Sequence, residues 1–240
     1  SKDDRDRYRY AGIAPKVEYV ILKVLDQKGN GVTSHVLEGV DWLLHNREKY
    51  GIRILNISVG MLPSAGKIER EALLYAVDAV WDSGIAVISA AGNNGPGENT
   101  VTIPGISRKV ITVGSLDDEV VPTERAGKLM KGYTGFGPTE CCIVKPEILA
   151  PGTNITSCAK DGTYTVKSGT SMAAPSVAGM SALVAQYIKA NKLNEKTGLS
   201  IRTLSQSLLM STATPLVESD GEEYSVRNQG AGLANAAYAT

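Results

Sequence analysis

The sequence predicts an α/β domain with a mostly parallel central sheet, and three features lead to that class. Apolar runs of strand length recur, amphipathic segments of helical period lie between them, and glycine-rich loops follow. The first run, "VEYVILKVL" at residues 17–25, is nearly continuous in apolar and β-branched residues, the pattern of a strand buried on both faces. "HVLEGVDWLLHNREKY" then sets Val36, Val40, Leu43 and Leu44 at helical spacing. "IRILNIS" at 52–58 is a second buried strand, "IEREALLYAVDAVWDSG" a second helix closed by Gly84, and "IAVISAA" at 85–91 a third strand. Such an alternation requires right-handed crossovers and parallel pairing. Beyond Gly92 loops dominate, broken by "KVITVGSL" at 109–116 and by short strands around Ile148, Ile155 and Tyr164. Helices are expected from about Ser171, over "SIRTLSQSLLMSTA" and near "LANAAYAT". The polar stretches "DDEVVPTERAGKLMKG" and "ESDGEEYSVRNQG" are expected to be solvated surface loops, and the first ten residues, with seven charged side chains, an exposed loop end.

At 240 residues and 42% hydrophobic content the chain can bury one large core, so a single domain is expected. Lys plus Arg equal Asp plus Glu at 25 each, which leaves no net field to draw nucleic acid or an anionic membrane. The apolar runs are too short to cross a bilayer, and no signal peptide opens the sequence. Cys141, Cys142 and Cys158 are an odd set without CxxC spacing or a nearby histidine, so they read as structural or incidental thiols rather than a disulfide framework or zinc site. A reducing, cytoplasmic location is expected on that ground, a secreted or cell-envelope one being the alternative.

In an open parallel sheet, ligands bind beyond the carboxyl ends of the strands. "NISVG" ends one strand, "SAAGNNGPG" ends the next, and "SGTSMAAP" enters a helix. A helix start offers unpaired N–H groups and a positive dipole end to an oxyanion forming beside Ser171, and Asn93 can add an amide donor. Taken singly, each motif has a plainer reading: Ser171 as a helix N-cap, and "GNNGPG" as a turn.

Together these motifs resemble those of the subtilisin-like serine proteases. "SGTSMAAPSVAG" is similar to their serine motif, "AAGNNGP" to their oxyanion-hole motif, and "GIAPKVEYVILKVLDQKGNG" and "ILNISVG" to their strand and substrate-binding segments. "IPGISRKVITVGSL", "KPEILAPGTNI" and "GAGLANAA" extend the likeness over nearly everything after residue 11. The resemblance implies a three-layer sandwich, a Ser171 nucleophile and an Asn93 oxyanion donor. It further implies a substrate strand along Ser58, Val59 and Gly60, and a specificity pocket walled by Ala90, Ala91 and Gly92. Two departures stand out: Ser176 replaces a common histidine, and Thr102 lies where the pocket floor is often glycine.

In that family the chain order is Asp, His, Ser. The likeness begins after the first two, so residues 1–240 are expected to be the C-terminal major part of a single catalytic domain, complemented by an N-terminal segment or chain carrying Asp and His. Neither His35 nor His45 substitutes, since both sit on a charged helix expected on the outer face of the sheet. An endopeptidase acting on polypeptides, with no nucleic-acid or membrane partner, is the expected function; an inactive homologue that binds or regulates is the alternative. No cofactor is expected, and calcium stays open.

Overall fold

The computed structural model describes residues 11–62, 64–95, 97–117, 128–129, 133–217 and 221–240. The charged first ten residues, and most of the polar stretch at 117–132, lie outside this set.

Helix α1 (Thr33–Asn46) leads to strand β1 (Ile54–Ile57), helix α2 (Lys67–Asp82), and strands β2 (Ala86–Ala90) and β3 (Ile111–Asp117). Gly84 ends the α2 region at φ +101°, a conformation costly for any side chain, as its place at the end of the helical pattern predicts. The strands run parallel in the order β1-β2-β3, with Ile54 opposite Ala86 and Ile88 opposite Ile111. β5 (Ile148–Pro151) joins β3 in parallel, while the two-residue β4 (Lys128–Leu129) pairs antiparallel with the end of β3. β4 falls inside a stretch expected to be loop. A separate antiparallel hairpin, β6 (Ile155–Cys158) and β7 (Tyr164–Lys167), precedes the long helix α3 (Thr170–Ala190). Four helices close the chain: α4 (Leu193–Thr197), α5 (Ile201–Ser211), α6 (Val226–Gln229) and α7 (Ala236–Ala239).

The sheet is the middle layer. α3 crosses β1, β2, β3 and β5 with α5 and α7 against it, and α1 packs on α2, which in turn contacts β2. The central strand β2 is buried at all five positions, so its mostly apolar sequence, with Ser89 the one polar residue, serves both faces. Val77 and Val80 of α2, Val87 and Ile88 of β2, and Ala173 and Val177 of α3 meet in one core.

Residues 17–25 depart from expectation, because the structure places no strand there. Tyr19 and Ile21 are 79% and 85% exposed, while Leu22 and Val24 lie against Gly39 of α1. A run suited to burial on both faces needs a strand on each side to complete its ladder. β1 pairs only with β2 among the described strands, leaving its other edge open. The second polar stretch differs too: its end forms α6, whose Gln229 is buried and bonds Leu216 N–H and the Tyr224 carbonyl.

One buried charge fixes the loop between the two central strands. Lys145 is 0% exposed; its Nζ donates to the carbonyls of Ser107 (2.6 Å) and Val110 (3.0 Å) and to Thr112 Oγ1 (3.2 Å), and it is ion-paired with Glu147 Oε1 at 2.6 Å. Glu147 also accepts Thr112 N–H at 2.7 Å. Burial pushes the lysine pKa down and the glutamate pKa up, each opposed in part by the other's charge.

Candidate active site

Ser171 is the second residue of α3, inside the helix rather than capping it. The cap comes from a distant segment. Asn93 Oδ1 accepts both the backbone N–H and the hydroxyl of Thr170 at 3.1 Å, and Thr170 Oγ1 in turn accepts Gly92 N–H at 3.0 Å. Because an N–H can only donate, the first bond fixes the Asn93 amide with its oxygen on Thr170 and leaves its Nδ2 as a donor. Gly169 permits this approach: a Cβ there would lie 3.3 Å from Nδ2. Among the described residues neither Asn93 Nδ2 nor the Ser171 N–H has an acceptor. Two donors without an acceptor among the described residues therefore stand at the start of α3, one on Ser171 itself and one on the side chain that caps its neighbour Thr170.

Strand β1 delivers the opposite wall. Ser171 Oγ donates to the Ser58 carbonyl at 2.9 Å, and Ser58 Oγ donates back to the Ser171 carbonyl at 3.1 Å. That carbonyl is available because the residue four positions on is Pro175, which has no N–H to close the helical bond. Asn56 Nδ2 donates to Ser58 Oγ at 3.0 Å, so the Ser58 proton is directed toward Ser171. The roles of Thr170, Pro175 and Asn56 escaped the sequence reading. All three stand inside motifs it quoted, yet only the three-dimensional pairing reveals what they touch.

Past Ser58 the chain becomes receptive. Val59 and Gly60 have no backbone hydrogen bond among the described residues, whereas Met61 pairs in both directions with Ile103 at 3.0 Å. Ala90 and Ala91 are buried at the end of β2, and Ala91 O accepts Thr102 N–H at 2.9 Å. The Thr102 side chain then projects between the two segments. A Cβ on Gly60 would lie 2.9 Å from its Oγ1, and a Cβ on Gly92 would lie 2.5 Å from its Cγ2. Glycine at both places is what lets Thr102 fit, and Gly92 has φ +94° besides.

His35 and His45 are exposed on α1, in the layer of α2. His45 Nδ1 bonds the Asp41 carbonyl at 2.8 Å, and no histidine bonds Ser171. Cys141, Cys142 and Cys158 are free and exposed, and no group of three or more metal-binding side chains occurs among the described residues. No described helix is long and apolar enough to cross a membrane.

Comparison with known proteins identifies relatives of the chain. The chain is 37% identical over 196 residues to serine protease AprX of Bacillus subtilis (strain 168), covering 74% of this chain and 44% of that protein. It is 35% identical over 175 residues to subtilisin DY of Bacillus licheniformis, covering 72% of this chain and 56% of that protein. The chain thus spans about half the length of these relatives. Among solved structures, the patellamide maturation protease PatA superposes with a TM-score of 0.72 at 26% identity, over 95% of this chain and 75% of that one. A psychrophilic protease, S41, gives 0.72 at 22% identity over 92% and 69%, a likeness of fold. With the subtilase family model matching residues 2–232, the chain belongs to the subtilase family.

Proposed function

We propose that the chain is the C-terminal major part of the catalytic domain of a serine endopeptidase, cleaving polypeptides through an acyl-enzyme on Ser171. The observation that supports this best is that Asn93 caps the very helix start that carries Ser171, leaving Ser171 N–H and Asn93 Nδ2 as donors without an acceptor among the described residues. A polypeptide lies along Val59 and Gly60 as an added strand, using their free backbone groups. A histidine base, oriented by an aspartate, takes the proton now donated to the Ser58 carbonyl, and Ser171 Oγ attacks the scissile carbonyl carbon. The carbonyl oxygen becomes an oxyanion held by the two donors. The base returns the proton to the departing amine, and water then cleaves the acyl ester.

The aspartate and histidine belong, in this proposal, to a complementing segment that lies against the open edge of β1 and residues 17–25. No cofactor enters these steps, and no nucleic acid or membrane is needed. Three exposed thiols fit a cytoplasmic location.

The test is active-site labelling of the full-length protein with a fluorophosphonate. Stoichiometric labelling that Ser171→Ala abolishes is expected. A full-length protein that binds peptides but never labels is instead the inactive homologue.

A further inference from the structure

Cysteine ranks among the most buried residue types, yet this chain sets two of them side by side at an exposed tip. The tip is a turn in which Cys142 N–H donates to the Thr139 carbonyl at 2.8 Å, with Cys142 itself at φ +55°. Its base is fastened: Thr139 is buried, its N–H donates to Ile143 O at 3.0 Å, and Ile143 N–H donates to Thr139 Oγ1 at 3.2 Å. One flank is held by Glu140, which pairs with Arg70 of α2 at 3.0 Å. Both thiols are therefore held at the surface on a defined backbone, open to small reagents.

We propose that Cys141 and Cys142 form a redox modification site, a vicinal dithiol that small disulfide oxidants close into a ring and thiols reopen. In the first step the thiolate of one cysteine attacks a sulfur of a low-molecular-weight disulfide and expels one thiolate, leaving a mixed disulfide. The neighbouring cysteine gives up its proton and attacks the protein-side sulfur. A Cys141–Cys142 bond forms and the second small thiolate leaves. Two cysteine thiols are oxidised, one small disulfide is reduced to two thiols, and the two protons pass to the departing thiolates. The second step is intramolecular, its nucleophile being carried on the adjacent residue. Consecutive Cα atoms are ~3.8 Å apart, below the ~4.4–6.8 Å usual for a disulfide, so the ring is strained and readily reduced. That makes it a reversible mark rather than a structural staple.

The readout is thiol chemistry, independent of whether the protein cleaves peptides. Folded full-length protein, with any cysteine outside these residues replaced by serine, is treated with oxidised glutathione, and its thiols and intact mass are measured. Reactive thiols should fall from three to one, with the loss of two hydrogen atoms localised by peptide mapping to residues 141–142 and reversed by dithiothreitol. Cys141→Ser should instead retain a stable glutathione adduct on Cys142, and Cys158→Ser should react as the parent does. Lasting adducts on both adjacent cysteines, a bond from either to Cys158, covalent dimers, or thiols that stay reduced would each overturn the proposal.

Discussion

Replacing Thr102 by glycine should widen the specificity of the proposed peptidase. The threonine side chain fills the space between Gly60 and Gly92, close enough that a methyl on either glycine would collide with it. A bulky aromatic ring seated between the same two segments must displace that side chain or strain its own placement. Overpacking of this kind costs about 1–3 kcal/mol, and with about 1.4 kcal/mol per decade the penalty corresponds to roughly 5- to 150-fold. The assay compares kcat/KM for matched peptides with Phe or Ala just before the scissile bond. Thr102→Gly should raise the Phe-to-Ala ratio by that factor, mainly through the Phe substrate. Thermal unfolding supplies the control, since losing a half-buried β-branched residue for glycine should also lower Tm, by about 2–4 °C for each 1 kcal/mol in a domain this size. If Tm falls while the ratio holds, Thr102 supports the scaffold and the pocket lies elsewhere.

Asn93 has two separable roles, so Asn93→Asp, which keeps the oxygen that caps Thr170 but lacks the amide donor, should cost turnover with little change in Tm or KM. A loss of about 10²–10³ is the scale set by subtilisin's own oxyanion asparagine; Asn93→Leu should add a stability loss of about 1 kcal/mol from the missing cap, and unaltered turnover in Asn93→Asp would remove the amide from the mechanism. Lys145→Met should destabilise by about 3–5 kcal/mol in urea unfolding, because it strands a buried carboxylate, and Glu147→Leu added to it should recover much of the loss; a double variant no better than the single one would contradict this. Asp26 and Asp161 are held below the ordinary carboxylate pKa of 3.8, Asp26 chiefly by the Asn30 and Lys28 N–H groups and Asp161 by Thr163. Their stabilisation should be complete above 3.8 and vanish as the pH falls through the lowered value, and a carbon-13 titration midpoint at or above 3.8 would refute it.

Legibility of the sequence tracked how local each cause is. The αβ alternation from Thr33 to Ala90 could be read directly because periodicity and the stop at Gly84 are properties of neighbouring residues. Residues 17–25 misled for the opposite reason: an apolar run reports what a strand needs, and its ladder depends on partners elsewhere in space. At the site, Ser171 and Asn93 stood out through their motifs. Thr170 did not, since its value lies in joining two segments 77 positions apart. β4 and α6 hid in polar stretches, too short for any periodicity to register.

The lysine at the centre of the 107–112 loop invites a comparison with bound ions. An ammonium ringed by two carbonyls, a hydroxyl and a carboxylate has the surroundings of a small cation, but it is joined to the backbone and has no dissociation equilibrium. Chelators cannot strip it and dilution cannot empty it. The chain from Ser107 to Thr112 is consequently clamped by a charge supplied at synthesis, one that no exchange with solution ions can replace.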